Sequence, residues 1–71
     1  MELRELIKPG NSIQIYFNEN NPNNRLIHIR AIVDERYVVF RTWSKHKQDW
    51  MYEIHPIIHF EVLQKENCLK L

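Results

Sequence analysis

The sequence predicts a single, mainly β domain of about five antiparallel strands, with a short helical turn at its N-terminus. Three observations support this fold class. The chain has 71 residues, which is enough for one domain with one modest core. Apolar and polar residues alternate along several short segments, as in half-buried strands. Mostly short turns separate these segments, so we expect a strongly bent sheet or a small barrel that closes on itself.

The first predicted element is the helical turn, because Leu3, Leu6 and Ile7 recur at helical spacing. Pro9-Gly10 then stops the helix and suits a type II turn that leads into a strand. We expect that first strand over residues 12–17. Its apolar face would hold Ile13, Ile15 and Phe17.

A loop follows the first strand, with five asparagines and one proline in residues 18–24. This composition predicts a long, solvated connection. The chain has a single glycine, so we expect asparagine to adopt part of the positive-φ backbone that turns need.

Four further strands are predicted after the loop. Residues 25–34 alternate cleanly, and residues 37–43 are rich in β-branched and aromatic types. A fourth strand is expected over 50–54, and Pro56 marks a break or an edge because it cannot donate a ladder hydrogen bond. Residues 57–63 alternate again and are expected to form a fifth strand. The tail from 64 to 71 receives no assignment.

Turn positions then predict which side chains share a face. A turn centred on His46-Lys47 sets the pairs Trp43–Trp50, Arg41–Tyr52 and Val39–Ile54. A tight turn at Glu35-Arg36 sets the pairs Val33–Val38, Ala31–Phe40, His28–Trp43 and Arg30–Arg41. The face predicted to form the core then holds Ile27, Ile29, Ala31, Val33, Val38 and Phe40.

The opposite face is the main candidate binding site, because aromatic rings and cations collect there. Its members are His28, Arg30, Arg41, Trp43, Trp50 and Tyr52. Two arginines placed side by side need stacked rings or a bound anion to offset their repulsion. Tryptophan and arginine are typical of interface hot spots, and aromatics mixed with cations also suit bases and phosphates. The alternative is structural, with the tryptophans capping one end of a barrel and the arginines solvated beside them.

The tip of the following hairpin is a second candidate. Lys45 and Lys47, together with Arg41, would form a local basic spot for phosphates or an acidic partner. The alternative is an ordinary charged turn that favours solubility.

Histidine spacing argues against a metal site. His55 and His59, with His28 or Cys68, could be drawn as zinc ligands. However, a spacing of four residues brings two ligands together on a helix, and we expect these residues on a strand interrupted by Pro56. We therefore expect no metal and no cofactor.

No catalytic motif is present either. The chain lacks a glycine-rich phosphate loop, and Cys68 has no organised base nearby in sequence. Asp34 and Glu53 lie too far apart in the predicted register to act as an acid–base pair. Glu53 falls on the core face, where we expect it to pair with Arg4 or another cation or to lie at the rim. The sequence therefore predicts a protein that is not an enzyme.

Composition limits partners and location. Ten Lys and Arg against nine Asp and Glu give a net charge of +1, so binding to nucleic acid would need a local cluster of cations. No apolar run approaches the length that spans a bilayer, and the N-terminus lacks a signal-peptide core. We therefore expect a cytoplasmic protein with no membrane contact.

Part of the chain resembles a known family. The stretch Lys8-Pro9-Gly10-Asn11-Ser12-Ile13-Gln14-Ile15, followed by a long loop and three meandering strands, resembles the SH3-like small barrels, Tudor and KOW types included. Segments 28–34, 38–44 and 48–53 also look like short bacterial and phage-borne proteins. The resemblance implies a module that binds peptides, nucleic acids or partner subunits. Asparagines replace the acidic cluster of a peptide-binding SH3 loop, which argues against basic, proline-rich peptides.

Two functions follow as expectations. The first is a non-enzymatic binding module that uses the aromatic and basic face for nucleic acid or for a nucleic-acid-handling protein. The second is a protein–protein module, either a homodimer or a phage-encoded modulator of a host protein, with the same face as a dry interface centre. Salt dependence separates the two, because phosphate contacts weaken steeply with salt.

Overall fold

A five-stranded antiparallel sheet forms the centre of the computed structural model, which describes all 71 residues. In chain order the elements are α1 (Leu3–Leu6), β1 (Ser12–Ile15), β2 (Arg25–Val33), β3 (Tyr37–Ser44), β4 (Asp49–Pro56), α2 (Ile57–Lys65) and β5 (Leu69–Lys70). The strand order is β4-β3-β2-β1-β5. The predicted mainly β class and N-terminal turn are confirmed. The sheet does not close, however, because β4 and β5 are separate edges, and the resemblance to SH3-like barrels stays a prediction.

Two helices cover one face of the sheet and complete the core there. Phe60 of α2 packs edge-to-face on Phe40 of β3, with the ring centroids 5.9 Å apart. Thr42 is the one buried polar residue, and its hydroxyl donates to the carbonyl of Leu26 at 3.0 Å. The buried apolar residues are Leu6, Ile7, Ile13, Ile15, Ile27, Ile29, Val38, Phe40, Phe60, Leu63, Cys68 and Leu69.

The predicted fifth strand over 57–63 is wrong, because this segment is the helix α2. This segment of seven residues has apolar side chains at positions 57, 58, 60, 62 and 63. These positions fit the period of two of a strand and the period of 3.6 of a helix almost equally well. The helix buries Phe60 and Leu63 against the sheet and leaves Ile58 and Val62 exposed. The apolar face of β1–β4 needs a cover, and this favours the helix. A fifth strand at the edge of the sheet would have left that face exposed to water.

The end of α2 carries a local signal that the alternating pattern concealed. Asn67 adopts a positive φ of 60° just after the helix, and its N–H donates to the carbonyl of Gln64. The N–H of Cys68 donates to the carbonyl of Leu63 at 2.8 Å. These two bonds are the Schellman motif, with asparagine in the position that glycine usually takes. The motif turns the chain back so that β5 pairs with β1.

The register of β3 with β4 matches the prediction, whereas the register of β2 with β3 does not. Trp43 lies opposite Trp50 and Arg41 opposite Tyr52, as expected. Between β2 and β3, a bulge leaves Arg30 without a partner, so the observed pairs are Val33–Tyr37, Ile32–Val38, Ala31–Val39, Ile29–Phe40 and His28–Arg41.

The bulge corrects the predicted core. Ile32 packs against the core, while Ala31 is half-buried and Val33 is exposed. The predicted two-residue turn at Glu35-Arg36 is also displaced: Asp34 and Glu35 both have positive φ, and the N–H of Arg36 donates to the carbonyl of Val33 at 3.0 Å. The alternation of apolar and polar residues could not reveal the bulge or the displaced turn. The extra residue in each of them carries no signal in that pattern.

Asparagine side chains organise the loop between β1 and β2. The carbonyl oxygen of the Asn24 side chain accepts from the N–H of Phe17 at 2.8 Å, and its amide donates to the carbonyl of Asn18 at 2.6 Å. Asn20 has a positive φ, as the shortage of glycine predicted. Strand β1 ends at Ile15, two residues before the predicted boundary, and leaves Phe17 exposed. No helix in the structure is both long and apolar enough to cross a membrane.

Candidate binding surface on the open face

The second face of the sheet carries no helix and displays large apolar and aromatic side chains. Successive side chains of a strand point to opposite faces of the sheet, so every second residue of each strand lies on this face and not in the core. Leu26, Val33, Tyr37, Trp43, Trp50, Tyr52 and Ile54 are all among the exposed large hydrophobic residues. A cluster of this kind on a small domain is typical of an interaction surface.

Three rings lie together at one end of this open face. Trp43 and Trp50 are cross-strand partners and pack edge-to-face, with their centroids 5.4 Å apart. His28 contacts Trp50 in the same way at 5.5 Å, and the hydroxyl of Ser12 fixes the His28 ring through its Nδ1 at 2.7 Å. The rings are thus held in place and still exposed on one side.

Two arginines stack on the rings of β4. The guanidinium of Arg41 lies 4.6 Å from the centre of the Trp50 ring, and that of Arg30 lies 6.0 Å from the Tyr52 ring. Neither arginine forms a salt bridge, because both ion pairs in the structure belong to Glu53. The Nε of Arg41 is buried without an acceptor. The stacked geometry holds two unneutralised charges at the surface.

No strand residue on the open face is acidic. Lys70 of β5 lies on this face, since its partner Gln14 does. The register assigns no Asp or Glu of any strand to the same face: Asp49 and Glu53 project to the covered side with their partners Ser44 and Phe40. The near-neutral chain therefore concentrates positive charge on one face, which the net charge alone does not reveal.

The structure brings six of the eight predicted site residues together. We call them the aromatic–basic patch, which consists of His28, Arg30, Arg41, Trp43, Trp50 and Tyr52. The expected side-by-side arginines are not cross-strand partners, because the bulge moves Arg30 out of register and pairs Arg41 with His28. The stacking on aromatic rings that would offset their charge is nevertheless present.

The two lysines of the hairpin tip lie outside the patch contacts. Lys45 lines a groove beside the covered side, together with His55, His59 and the patch residue Trp43. Lys47 is exposed in the turn, where its backbone N–H donates to the hydroxyl of Ser44 at 3.2 Å. Sequence reasoning missed Leu26 and Lys70 on the open face. Leu26 lies two residues before His28 in β2, so alternation along the strand predicts the same face for both. Lys70 could not be placed without knowing that β5 pairs with β1.

A second polar cluster lies on the covered side and closes the rim of the core. Glu53 accepts from Arg25 at 2.8 Å and contacts His55 Nε2 at 2.9 Å, so its partner is Arg25 and not Arg4. Partial burial by itself raises the pKa of Glu53, but the hydrogen bonds and charges of Arg25 and His55 outweigh it and hold the pKa below its ordinary value. The Phe40 ring lies beneath, 5.1 Å from the His55 ring.

A groove of about 480 Å³ lies beside this cluster, between the asparagine-rich loop and α2. The rings of His55 and His59 are 5.2 Å apart at its wall. No group of three or more His, Cys, Asp or Glu side chains is arranged to hold a metal ion. Cys68 is buried, and its thiol contacts the backbone carbonyl of Glu66.

No protein-family model matches the chain, and no curated protein or solved structure matches it either. What the open face binds is therefore inferred from its own side chains.

Proposed function

We propose that the chain is a non-enzymatic binding protein and that its aromatic–basic patch binds single-stranded nucleic acid. The observation that carries the proposal is the stacking of unneutralised arginines on exposed rings, on a face without acidic strand residues. Such a face offers flat surfaces for bases and positive charge for phosphates. Both are needed for binding a strand without reading its sequence.

The rings supply the base contacts in this proposal. Trp43, Trp50 and Tyr52 are 47%, 43% and 57% exposed, so about half of each side chain is available to a ligand. Stacking of one base on an aromatic side chain contributes about 1–3 kcal/mol. Trp50 and Tyr52 lie two residues apart on one strand, a separation of about 7 Å, which two splayed bases can span.

The cations supply the phosphate contacts. Arg30 and Arg41 flank the rings, and Lys70 lies on the same face at the far edge. Because no strand residue on this face carries a carboxylate, a phosphate meets little repulsion there. A duplex fits less well, since its bases are stacked inside and the sheet offers no helix for the major groove.

A protein partner is the second candidate, and the other end of the same face favours it. Val33, Tyr37 and Ile54 are exposed there, with half-buried Val39 between them and no cation among them. An apolar area of this kind suits the dry centre of a protein interface. This function predicts a complex that tolerates salt, in contrast to binding through phosphates.

The two tryptophans make the test direct, because they are the only ones in the chain and both belong to the patch. Titration of the protein with short oligo-dT and oligo-U at low salt should quench the intrinsic fluorescence and shift its maximum. The affinity should fall steeply as salt rises. Absence of any spectral change with all oligonucleotides at low salt would remove the nucleic-acid proposal.

Arginine variants assign the binding to the patch. Arg41→Ala should weaken binding about tenfold and lower the salt slope by about one unit, because one phosphate contact is lost. Arg4→Ala is the matched control, since Arg4 is exposed on α1 at the opposite side of the sheet. Equal losses in both variants would show an unspecific charge effect.

A further inference from the structure

The two edges of the sheet differ in how well they are protected. Strand β5 forms one edge with only two residues, one of which is Lys70. Strand β4 forms the other edge with eight residues, and none of them is buried. The free side of β4 therefore presents a long row of backbone donors and acceptors with no partner strand.

Strand β4 also carries few of the features that keep edge strands apart, and its inward-pointing carboxylate Glu53 is already paired with Arg25. It contains no lysine or arginine, and its pairing with β3 runs through eight successive pairs without a bulge. Its single proline, Pro56, is the last residue. Trp50, Tyr52 and Ile54 make its open face apolar. An edge with these properties favours the addition of another strand.

We propose that β4 pairs with β4 of a second copy of this chain, antiparallel and with Tyr52 on the two-fold axis. Antiparallel pairing of identical strands places that axis perpendicular to the sheet, so both open faces lie on the same side. The result is one ten-stranded sheet per dimer, with the helices of both copies beneath it.

Side-chain matching selects this register. Only registers centred on Tyr52 or on Glu53 keep seven of the eight strand residues paired. The centre at Glu53 would place two carboxylates opposite each other and bring Pro56 into the ladder, both of which are unfavourable. The centre at Tyr52 avoids both: Trp50 lies opposite the partner's Ile54, and Asp49 lies opposite the partner's His55.

The accessible surface of the single chain is larger than a compact monomer needs, as expected if one contact is made only in the dimer. The chain exposes 5280 Å². A compact monomer of its 8.8 kDa mass would expose about 4,800 Å². Pairing of β4 with its copy would cover part of this excess, and a second copy is always available at the concentration of the protein itself.

Pairing would also join the two aromatic–basic patches into one surface, because Trp50 and Tyr52 lie on the strand that pairs. This consequence depends on the proposed function, whereas the dimer itself does not. The mass of the protein is measured without nucleic acid, so the dimer and the nucleic-acid binding can fail separately.

Sedimentation equilibrium of the full chain tests the dimer. The expected mass is twice the 8.8 kDa of one chain at high concentration. Ile54→Lys should raise the dimer dissociation constant roughly tenfold or more, because it places a lysine on the pairing edge in both copies. Ile58→Lys is the matched control: Ile58 is 64% exposed and Ile54 58%, but Ile58 lies on α2. A single-chain mass at every concentration, or equal weakening by both variants, would overturn the proposal.

Cysteine cross-linking tests the register in a Cys68→Ala background. Tyr52→Cys should form an intermolecular disulfide under mild oxidation, because the two substituted positions face each other at the axis. Ile54→Cys should not, because its two copies would lie about 13 Å apart along the strands. Tyr52 and Ile54 are equally exposed, at 57% and 58%, so random collisions would cross-link both variants alike and contradict the register.

Discussion

The two faces of the sheet are built from alternate residues of the same strands and differ mainly in what covers them. In β3, Val38 and Phe40 are buried under the helices, while Trp43 on the other face is about half exposed. Both faces are rich in large apolar side chains. Hydrophobicity therefore does not separate core from candidate site in this chain, and the position of the helices does.

Charge separates the faces more sharply than hydrophobicity. The one clustered carboxylate, Glu53, lies on the covered side, where Arg25 neutralises its charge and His55 contacts it. The arginines of the open face have rings beside them and no carboxylate. If Arg30 and Arg41 served only to close the rim of the core, we would expect their charges to be paired, as the charge of Glu53 is. The unpaired arginines are what favours a ligand.

Deleting a residue tests how strictly the two faces are specified. Deletion of Val39 should abolish cooperative unfolding, because either Val38 or the Phe40–Thr42 segment would then move to the wrong face. Deletion of Arg30 should keep the fold, since Ala31 would continue a regular ladder after Ile29. Thermal unfolding followed by circular dichroism checks both. Loss of the transition in both variants would contradict the role given to the bulge.

Truncating one large ring on each face should give very different losses of stability. Phe40→Ala should lower the free energy of unfolding by about 3–5 kcal/mol, because Phe40 is fully buried against Phe60 and His55. Trp50→Ala should cost less, about 1–2 kcal/mol, since Trp50 is nearly half exposed and contacts only His28, Trp43 and Arg41 with its ring. Urea unfolding measures both values. Similar losses would mean that the open face is part of the core.

A smaller difference tests the corrected register of β2. Ile32→Ala should lower the free energy of unfolding by about 2 kcal/mol or more, because Ile32 packs against the core. Val33→Ala should cost about 0.5 kcal/mol or less, since Val33 is exposed. A larger loss for Val33→Ala than for Ile32→Ala in urea unfolding would contradict the bulge and support the regular alternation that the sequence predicts.

The smallest effect concerns the ion pairs of Glu53. The pKa of Glu53 is lower in the folded chain than its ordinary value of 4.5, so its contribution to stability is complete above that value and is lost as the pH falls through the lowered pKa. Glu53→Gln should therefore cost at most about 1 kcal/mol near pH 7, because the pair is one-third exposed to solvent.

The difference between wild type and Glu53→Gln should shrink as the pH falls through this window. Unfolding by urea at a series of pH values measures it, and Glu61→Gln, at an exposed position of α2, is the control. A difference that stays constant down to the lowest pH would show that the ion pairs contribute nothing.

Local patterns predicted most of the fold from the sequence. The strict alternation in β2 and β3 and the turn between β3 and β4 were enough to place Trp43 opposite Trp50 and Arg41 opposite Tyr52. The aromatic–basic patch could therefore be anticipated, because its members lie on sequential strands joined by short turns.

The errors lie where local pattern and tertiary context disagree. Residues 57–63 fit a strand or a helix, and the need to cover the sheet made them α2. The bulge at Arg30 and the position of Lys70 depend on contacts between strands that no short window contains. The lack of acidic residues on the open face became visible only once all five strands were in register.

In the proposed complex the open face, and not the covered side, contacts the ligand. Backbone amide resonances of isotope-labelled protein, followed while oligo-dT is added at low salt, test it most directly. We expect shifts at Arg30, Arg41, Trp50 and Tyr52, including the indole N–H signal of Trp50, with α1 and α2 unchanged; Trp43 also lines the groove and does not separate the two outcomes. Shifts confined to the groove around His55, His59 and the asparagine-rich loop would contradict it.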